Sequence, residues 1–183
     1  ANIVQIATWQ NNIGSVLNDL KRYDEAIERY KISLAFNTKL GDPINIAMCH
    51  ANIGNVYNVM GQPEKALPYL ETALQLSKDS KANWLIMNIY IYFIEGYRLS
   101  GDLESAVIFQ DSLMHLKDRM YDLQTNANIA EMQTKFDTEK KEKENELLKK
   151  EGDLKDLDLN RQQLMIYSVV VILLLLFIIS IFI

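Results

Sequence analysis

Apolar residues in the first two thirds of this chain return to one helical face at regular intervals. Ile6, Ile13 and Leu17 show the i, i+3, i+4, i+7 spacing of an amphipathic helix. Short polar breaks interrupt the pattern at Asp19-Leu20-Lys21-Arg22, Gly41-Asp42-Pro43, Met60-Gly61-Gln62-Pro63 and Ser100-Gly101-Asp102. Glycine at such a break supplies a left-handed helix cap, and Pro63 pre-sets the first turn of the helix after it. The pattern predicts paired helices, with second helices from Asp24 to about Leu40, from Glu64 to about Lys78, and from Leu103 onward. Beyond residue 124 the pattern changes. Residues 125–163 are mostly charged, and residues 164–183 carry no charge at all.

The first block repeats itself. Residues 4–38 align with 44–78: Asn12, Ile13, Gly14 and Val16 fall on Asn52, Ile53, Gly54 and Val56. Later in the unit, Ala26, Tyr30, Ser33 and Leu34 fall on Ala66, Leu70, Ala73 and Leu74. A third copy, forty residues further on, keeps Phe93, Tyr97, Gly101 and Ala106 in register with Ile53, Tyr57, Gly61 and Ala66. It departs at Ile94, which replaces the glycine, and at Gln110, which replaces the large apolar residue of the second helix. The small residues Gly14, Gly54, Ala26, Ala66 and Ala106 predict close packing between paired helices. A leucine at Gly14 or Ala66 would overpack that contact at about 1–3 kcal/mol.

This signature resembles the tetratricopeptide repeat: Ile13-Gly14, Leu17, Ala26, Tyr30 and Ser33, then Ile53-Gly54, Tyr57, Ala66, Leu70 and Ala73. The period is longer than the usual one and resembles the long-helix variant of kinesin-light-chain-like and bacterial signalling repeats. HEAT and armadillo arrays have similar periods but lack this Gly/Ala pairing. The resemblance implies an all-α fold, a tetratricopeptide helix-hairpin solenoid over residues 1–124, with repeats at about 4–40, 44–80 and 84–120.

Residues 137–151 are dense in Glu and Lys, and the pairs Glu139–Lys143, Glu146–Lys150 and Glu151–Lys155 support a helix. From Leu103 the chain is expected to run helical to its end with one or two breaks, Gly152 marking a joint. Ile129, Phe136, Leu147, Leu154, Leu157 and Leu164 fit one heptad seam, but Lys140, Lys143, Lys150 and Arg161 share it. Two readings stay open for 125–163: a single solvated linker helix, or a coiled coil forming a homodimer. Residues 164–183 match the length of a bilayer-spanning helix, so a transmembrane helix is expected there, with Tyr167 at the interface. The first residue, Ala1, falls at a repeat boundary with no signal peptide in view, and an upstream segment is expected.

The net charge is −5, with acidic and basic residues interleaved and no basic block. That distribution gives no footprint for nucleic-acid binding. A single cysteine, Cys49, excludes an intramolecular disulfide. His50 and His115 stand apart in different repeats, so no metal site is expected. No phosphate loop, nucleophile elbow or zinc-helix motif occurs, and no cofactor or catalytic residue is assigned. Asp102 reads as a helix N-cap or turn residue.

The resemblance directs attention to binding. It implies that the first helix of each pair lines a groove for a protein or peptide ligand. Carried over, the groove positions are Asn11, Asn12, Ser15 and Asn18 in the first repeat and Asn52, Asn55 and Asn58 in the second. Asn88, Tyr92, Glu95 and Arg98 fall there in the third. Asparagine offers donors and an acceptor together and so suits an extended peptide backbone. The same side chains could instead bond neighbouring helices. A second resemblance covers about 90–163. The run Met132-Gln133-Thr134-Lys135-Phe136-Asp137-Thr138-Glu139-Lys140-Lys141, ahead of an apolar span, is similar to the sensor half of Bacteroidetes-type membrane signalling proteins. There, repeats, a charged helix and one membrane helix precede a histidine kinase, phosphatase or helix-turn-helix output domain. It implies a sensory input module anchored in the bacterial inner membrane with periplasmic repeats. A passive membrane-tethered scaffold is the alternative.

Overall fold

The computed structural model describes residues 2–182, with side chains described for 2–172. Six helices follow one another: α1 (Ile3–Asp19), α2 (Tyr23–Leu40), α3 (Pro43–Val59), α4 (Pro63–Asp79), α5 (Asn83–Ser100) and α6 (Leu103–Phe182). The chain divides into two units, Ala1–Leu123 and Gln124–Ile183.

Local chemistry fixes where the helices start and stop. Asn2 caps α1 by accepting from the Val4 N–H at 3.2 Å, while Gln5 reaches back to the Asn2 N–H, a capping box. Asp42 caps α3 through the Asn45 N–H at 3.0 Å, with Pro43 in the first turn. Asp102 accepts from the Ser105 N–H at the start of α6. Gly41 ends α2 at φ 67°, and its N–H and that of Asp42 close back on Thr38 and Asn37. Between the helices of a pair, Gly61 takes the left-handed position in the second repeat, but in the first it falls to Lys21, at φ 59°. There the break Asp19-Leu20-Lys21-Arg22 makes its turn without a glycine.

In the first unit α1 packs on α2 and α3 on α4, and the second helices α2 and α4 pack in turn on α3 and α5. Two apolar clusters result. Leu17, Ala26, Ile27, Tyr30, Ile53 and Val56 form one, and Leu70, Ala73, Leu85, Ile89 and Phe93 lie in the other. The expected small-residue contact has a specific form. A Cβ on Gly14 would stand 2.7 Å from the Tyr30 ring. On Gly54 it would stand 2.7 Å from Leu70 and 3.2 Å from the Ala66 carbonyl oxygen. The third pair departs where the sequence does. With Ile94 in place of glycine, packing passes to Phe93, which stacks on Phe109 at 4.4 Å between ring centroids, with Tyr97 beside them.

In the second unit, helix continues from Gln124 to Phe182 without the expected breaks. Gly152 lies inside it with open space around it. One glycine costs about 1 kcal/mol in a helix interior, too little to end a helix whose neighbours are Glu, Lys and Leu. The described apolar side chains here, Leu147, Leu154 and Leu157 among them, are exposed. Among the described residues no helix is long and apolar enough to cross a membrane. The expected span, 164–183, falls for its greater part on 173–183, outside the residues whose side chains are described.

Candidate peptide-binding groove

The candidate residues sit on the first helices of the pairs, α1, α3 and α5. Two of them meet across adjacent pairs: the Asn52 side-chain N–H donates to Asn11 Oδ1 at 3.0 Å. Both are half-buried, so the bond lies at the edge of solvent. Asn12 and Ser15 are exposed on α1, Asn55 is half-buried on α3, and Asn88, Glu95 and Arg98 are exposed on α5. Asn18 is half-buried, with Oδ1 enclosed and unpaired.

Asn58 departs from the expectation. It is 1% exposed, and its side-chain N–H donates to the Tyr92 carbonyl at 2.8 Å. A Cβ on Gly96 would stand 2.9 Å from Asn58 Oδ1, so the amide fills the space the glycine leaves. Asn58 therefore ties α3 to α5, and nothing of it is left for a ligand. Tyr92 supplies the carbonyl; its half-buried phenol is shifted up by burial.

Beside the Asn11–Asn52 pair lies a small polar pit of about 60 Å³. Thr8, Asn11 and Asn12 of α1 line it with Asn45 and Met48 of α3, and Ser33 and Asn37 of α2 lie at its base. The base is a closed network. Ser33 Oγ donates to the Ala7 carbonyl at 2.8 Å and accepts from Asn37 Nδ2 at 3.2 Å and from the Cys49 thiol at 3.4 Å. Burial pushes the Cys49 thiol up, so it remains a neutral donor. None of the lining residues is charged. The pit offers carboxamide and hydroxyl groups to a neutral hydrogen-bonding partner and no counter-charge to an ion.

Sequence reasoning missed Thr8, Ser33, Asn37 and Asn45. A signal was present: Ser33 and Asn37 are polar positions on the buried stripe of α2, and Ser33 falls on Ala73 one repeat later. Among the described residues no group of three or more His, Cys, Asp or Glu is placed to hold a metal. His50 packs its ring 5.8 Å from Tyr69, with Nδ1 enclosed and unpaired, and burial holds its imidazole below the usual range.

Comparison with known proteins agrees with this geometry. Residues 5–79 match the family described as tetratricopeptide repeat. The tetratricopeptide domain of Arabidopsis FLU superposes with a TM-score of 0.61 at 22% identity, covering 64% of this chain and 99% of that domain. BtubC from P. vanneervenii superposes with a TM-score of 0.58 at 20% identity, covering 63% of this chain and 48% of the other. Among curated proteins, human cell division cycle protein 16 homolog is 29% identical over 121 residues, 62% of this chain and 18% of that protein. Response regulator aspartate phosphatase A of Bacillus subtilis (strain 168) is 26% identical over 96 residues, 52% of this chain and 25% of that protein. The chain thus spans a quarter or less of the length of these curated relatives. The matched residues and the paired-helix array together support the tetratricopeptide-repeat family, whose repeats suggest a protein-protein interaction module.

Proposed function

We propose that the repeats bind an extended peptide or protein segment along the first helices, as the input module of a membrane-anchored signalling protein. The observation that carries the reading is the Asn11–Asn52 pair standing over an uncharged polar pit. Amides at the edge of solvent can exchange their mutual bond for bonds to a peptide backbone at little cost, because the net worth of such a bond is about 1 kcal/mol. Asn12 and Asn55 extend this row, and Asn88, Glu95 and Arg98 offer side-chain selectivity further along. The remaining parts of the reading rest on sequence. The uncharged stretch 164–183 is the membrane tether, and the Leu-bearing helix of 125–163 joins two copies and carries the change in the ligand-bound state. The likeness to a response regulator aspartate phosphatase is in keeping with a signalling role.

The test is selection of a random dodecapeptide display library on the immobilised full chain, followed by titration of the selected peptide into variants. Asn12→Ala and Asn55→Ala are expected to weaken binding roughly tenfold each, about 1.4 kcal/mol, with the melting temperature unchanged. Selected peptides that bind both variants as tightly as the parent would overturn the groove assignment.

A further inference from the structure

Around the pit between α1 and α3, each polar side chain is oriented by where its own hydrogens go. Ser33 spends its one O–H on the Ala7 carbonyl, so toward Asn37 it can only accept. Asn37 Nδ2 therefore faces Ser33 at 3.2 Å and lies 3.7 Å from Cys49 Sγ. Oδ1 is left as the atom that Asn37, only 6% exposed, presents to the pit, and it accepts no bond within the described chain. Asn45 is set in the same way. The Asp42 carboxylate can only accept, and it takes the Asn45 side-chain N–H at 2.8 Å, which leaves Asn45 Oδ1 free to accept. Thr8 gives its hydroxyl hydrogen to the Val4 carbonyl at 3.0 Å and keeps its accepting lone pairs. Acceptor oxygens from three helices thus line one pit of about 60 Å³. One repeat later, Thr8, Ser33, Asn37 and Asn45 are replaced by Met48, Ala73, Ser77 and Leu85. The acceptor set belongs to this one joint and is not a property of the repeat.

We infer that this pit is the specificity pocket of the groove and takes the terminal carboxamide of an asparagine or glutamine side chain in the bound peptide. The inference rests on the peptide-groove reading above. A carboxamide nitrogen is the uncharged side-chain group that brings two N–H donors together, which answers a wall of acceptors. Its oxygen can accept in turn from Asn12, exposed at the rim. The pit has about the volume of two water molecules, at roughly 30 Å³ each. That admits the head of such a side chain but not an aromatic ring. Aspartate has the shape of asparagine, but its oxygens would face acceptors. Lysine would bring a charge to a lining that carries none. Leucine would cover Asn37 Oδ1 without bonding it, and an acceptor stripped of water without a partner carries its full desolvation cost.

The test uses the dodecapeptides selected on the full chain. They should share an asparagine or glutamine at one position, and aspartate or leucine there should weaken binding roughly tenfold or more. Thr8→Met with Asn45→Leu gives the pit the residues found at the next joint; Thr8 is exposed and Asn45 half-buried. In that double variant the carboxamide peptide should fall to the affinity of its leucine analogue. Far-UV circular dichroism verifies the fold, and if the variant does not fold the peptide series alone decides. Selected peptides with no shared carboxamide, or a leucine analogue within about twofold of the parent, overturn the pocket while leaving the groove standing. If no peptide is selected, the groove reading falls, and the pocket is then judged by titrating propionamide into the isotope-labelled full chain. Propionamide should shift the Asn37 side-chain N–H2 and the Cys49 backbone resonances, and propionate, of the same shape but charged, should not. No response to propionamide, or an equal response to propionate, overturns the pocket.

Discussion

Gly14 and Gly54 show what a single missing Cβ decides. Each lies under a large side chain of the partner helix, Tyr30 or Leu70, and both partners are buried and closely held. Alanine gains up to about 1 kcal/mol of helix propensity over glycine, but the added methyl meets its neighbour well inside contact distance. Overpacking of this kind costs about 1–3 kcal/mol, so Gly14→Ala and Gly54→Ala should both be net destabilising in urea unfolding. Gly54→Ala should be the worse of the two, because there the methyl also approaches the Ala66 carbonyl, which cannot rotate away. A neutral or stabilising result at Gly54 would show that the pair can spread without loss. The importance of these glycines was legible in the sequence, since each sits in the conserved spacing within the chain's own copies. Their partners were not, because the side chain filling a gap across two helices is set by the crossing of those helices.

Among elements, the joint between α3 and α5 rests on a polar contact inside an apolar setting. Asn58 gives its amide hydrogen to Tyr92 and lies against Gly96, while its own Oδ1 is enclosed without a partner. Removing a buried partner leaves the Tyr92 carbonyl with one bond fewer and opens a cavity. Asn58→Ala is therefore expected to cost about 1–3 kcal/mol, measured as a shift in the urea midpoint with an unchanged slope. Amide exchange should then quicken first in α3 and α5, and uniform quickening of all helices would count against a local joint. The sequence placed Asn58 with the other groove asparagines because all of them lie on first helices. Separating it from them requires knowing which helix face turns inward, and the tilt of α5 on α3 decides that.

For the whole molecule, pH acts through groups whose protonation differs between the folded and unfolded states. His50 is enclosed against Tyr69 and its imidazole is held below the usual range by burial. The folded state thus disfavours the proton that the unfolded chain accepts near pH 6.5. Stability from this group is complete above that value and is lost as pH falls toward the folded value. Glu25, hydrogen-bonded to Arg22 at 2.6 Å, and Asp102, bonded to Ser105, are lowered as well and lose their contribution further into the acid range. Acidification from pH 7 to 5 should therefore lower the melting temperature, and His50→Gln should flatten that first part of the profile while leaving the part below pH 4.5 intact. An unchanged profile in His50→Gln would remove the histidine from the account.

What the sequence determined by itself is what depends on neighbours along the chain. Helix pairs, their breaks and the Asp102 cap follow from local propensity and spacing, which act within a few residues, and the forty-residue period follows from comparing the copies. The sequence also carried the long charged helix, although it suggested a joint at Gly152 that one glycine is too weak to make. Tertiary structure decided what depends on how helices cross. It gave Asn58 to a joint and Asn52 to Asn11, and it gathered Ser33, Asn37 and Asn45 around one pit. Equivalent residues share a local pattern, but the partner of each is set by how the helices cross, which local sequence does not carry.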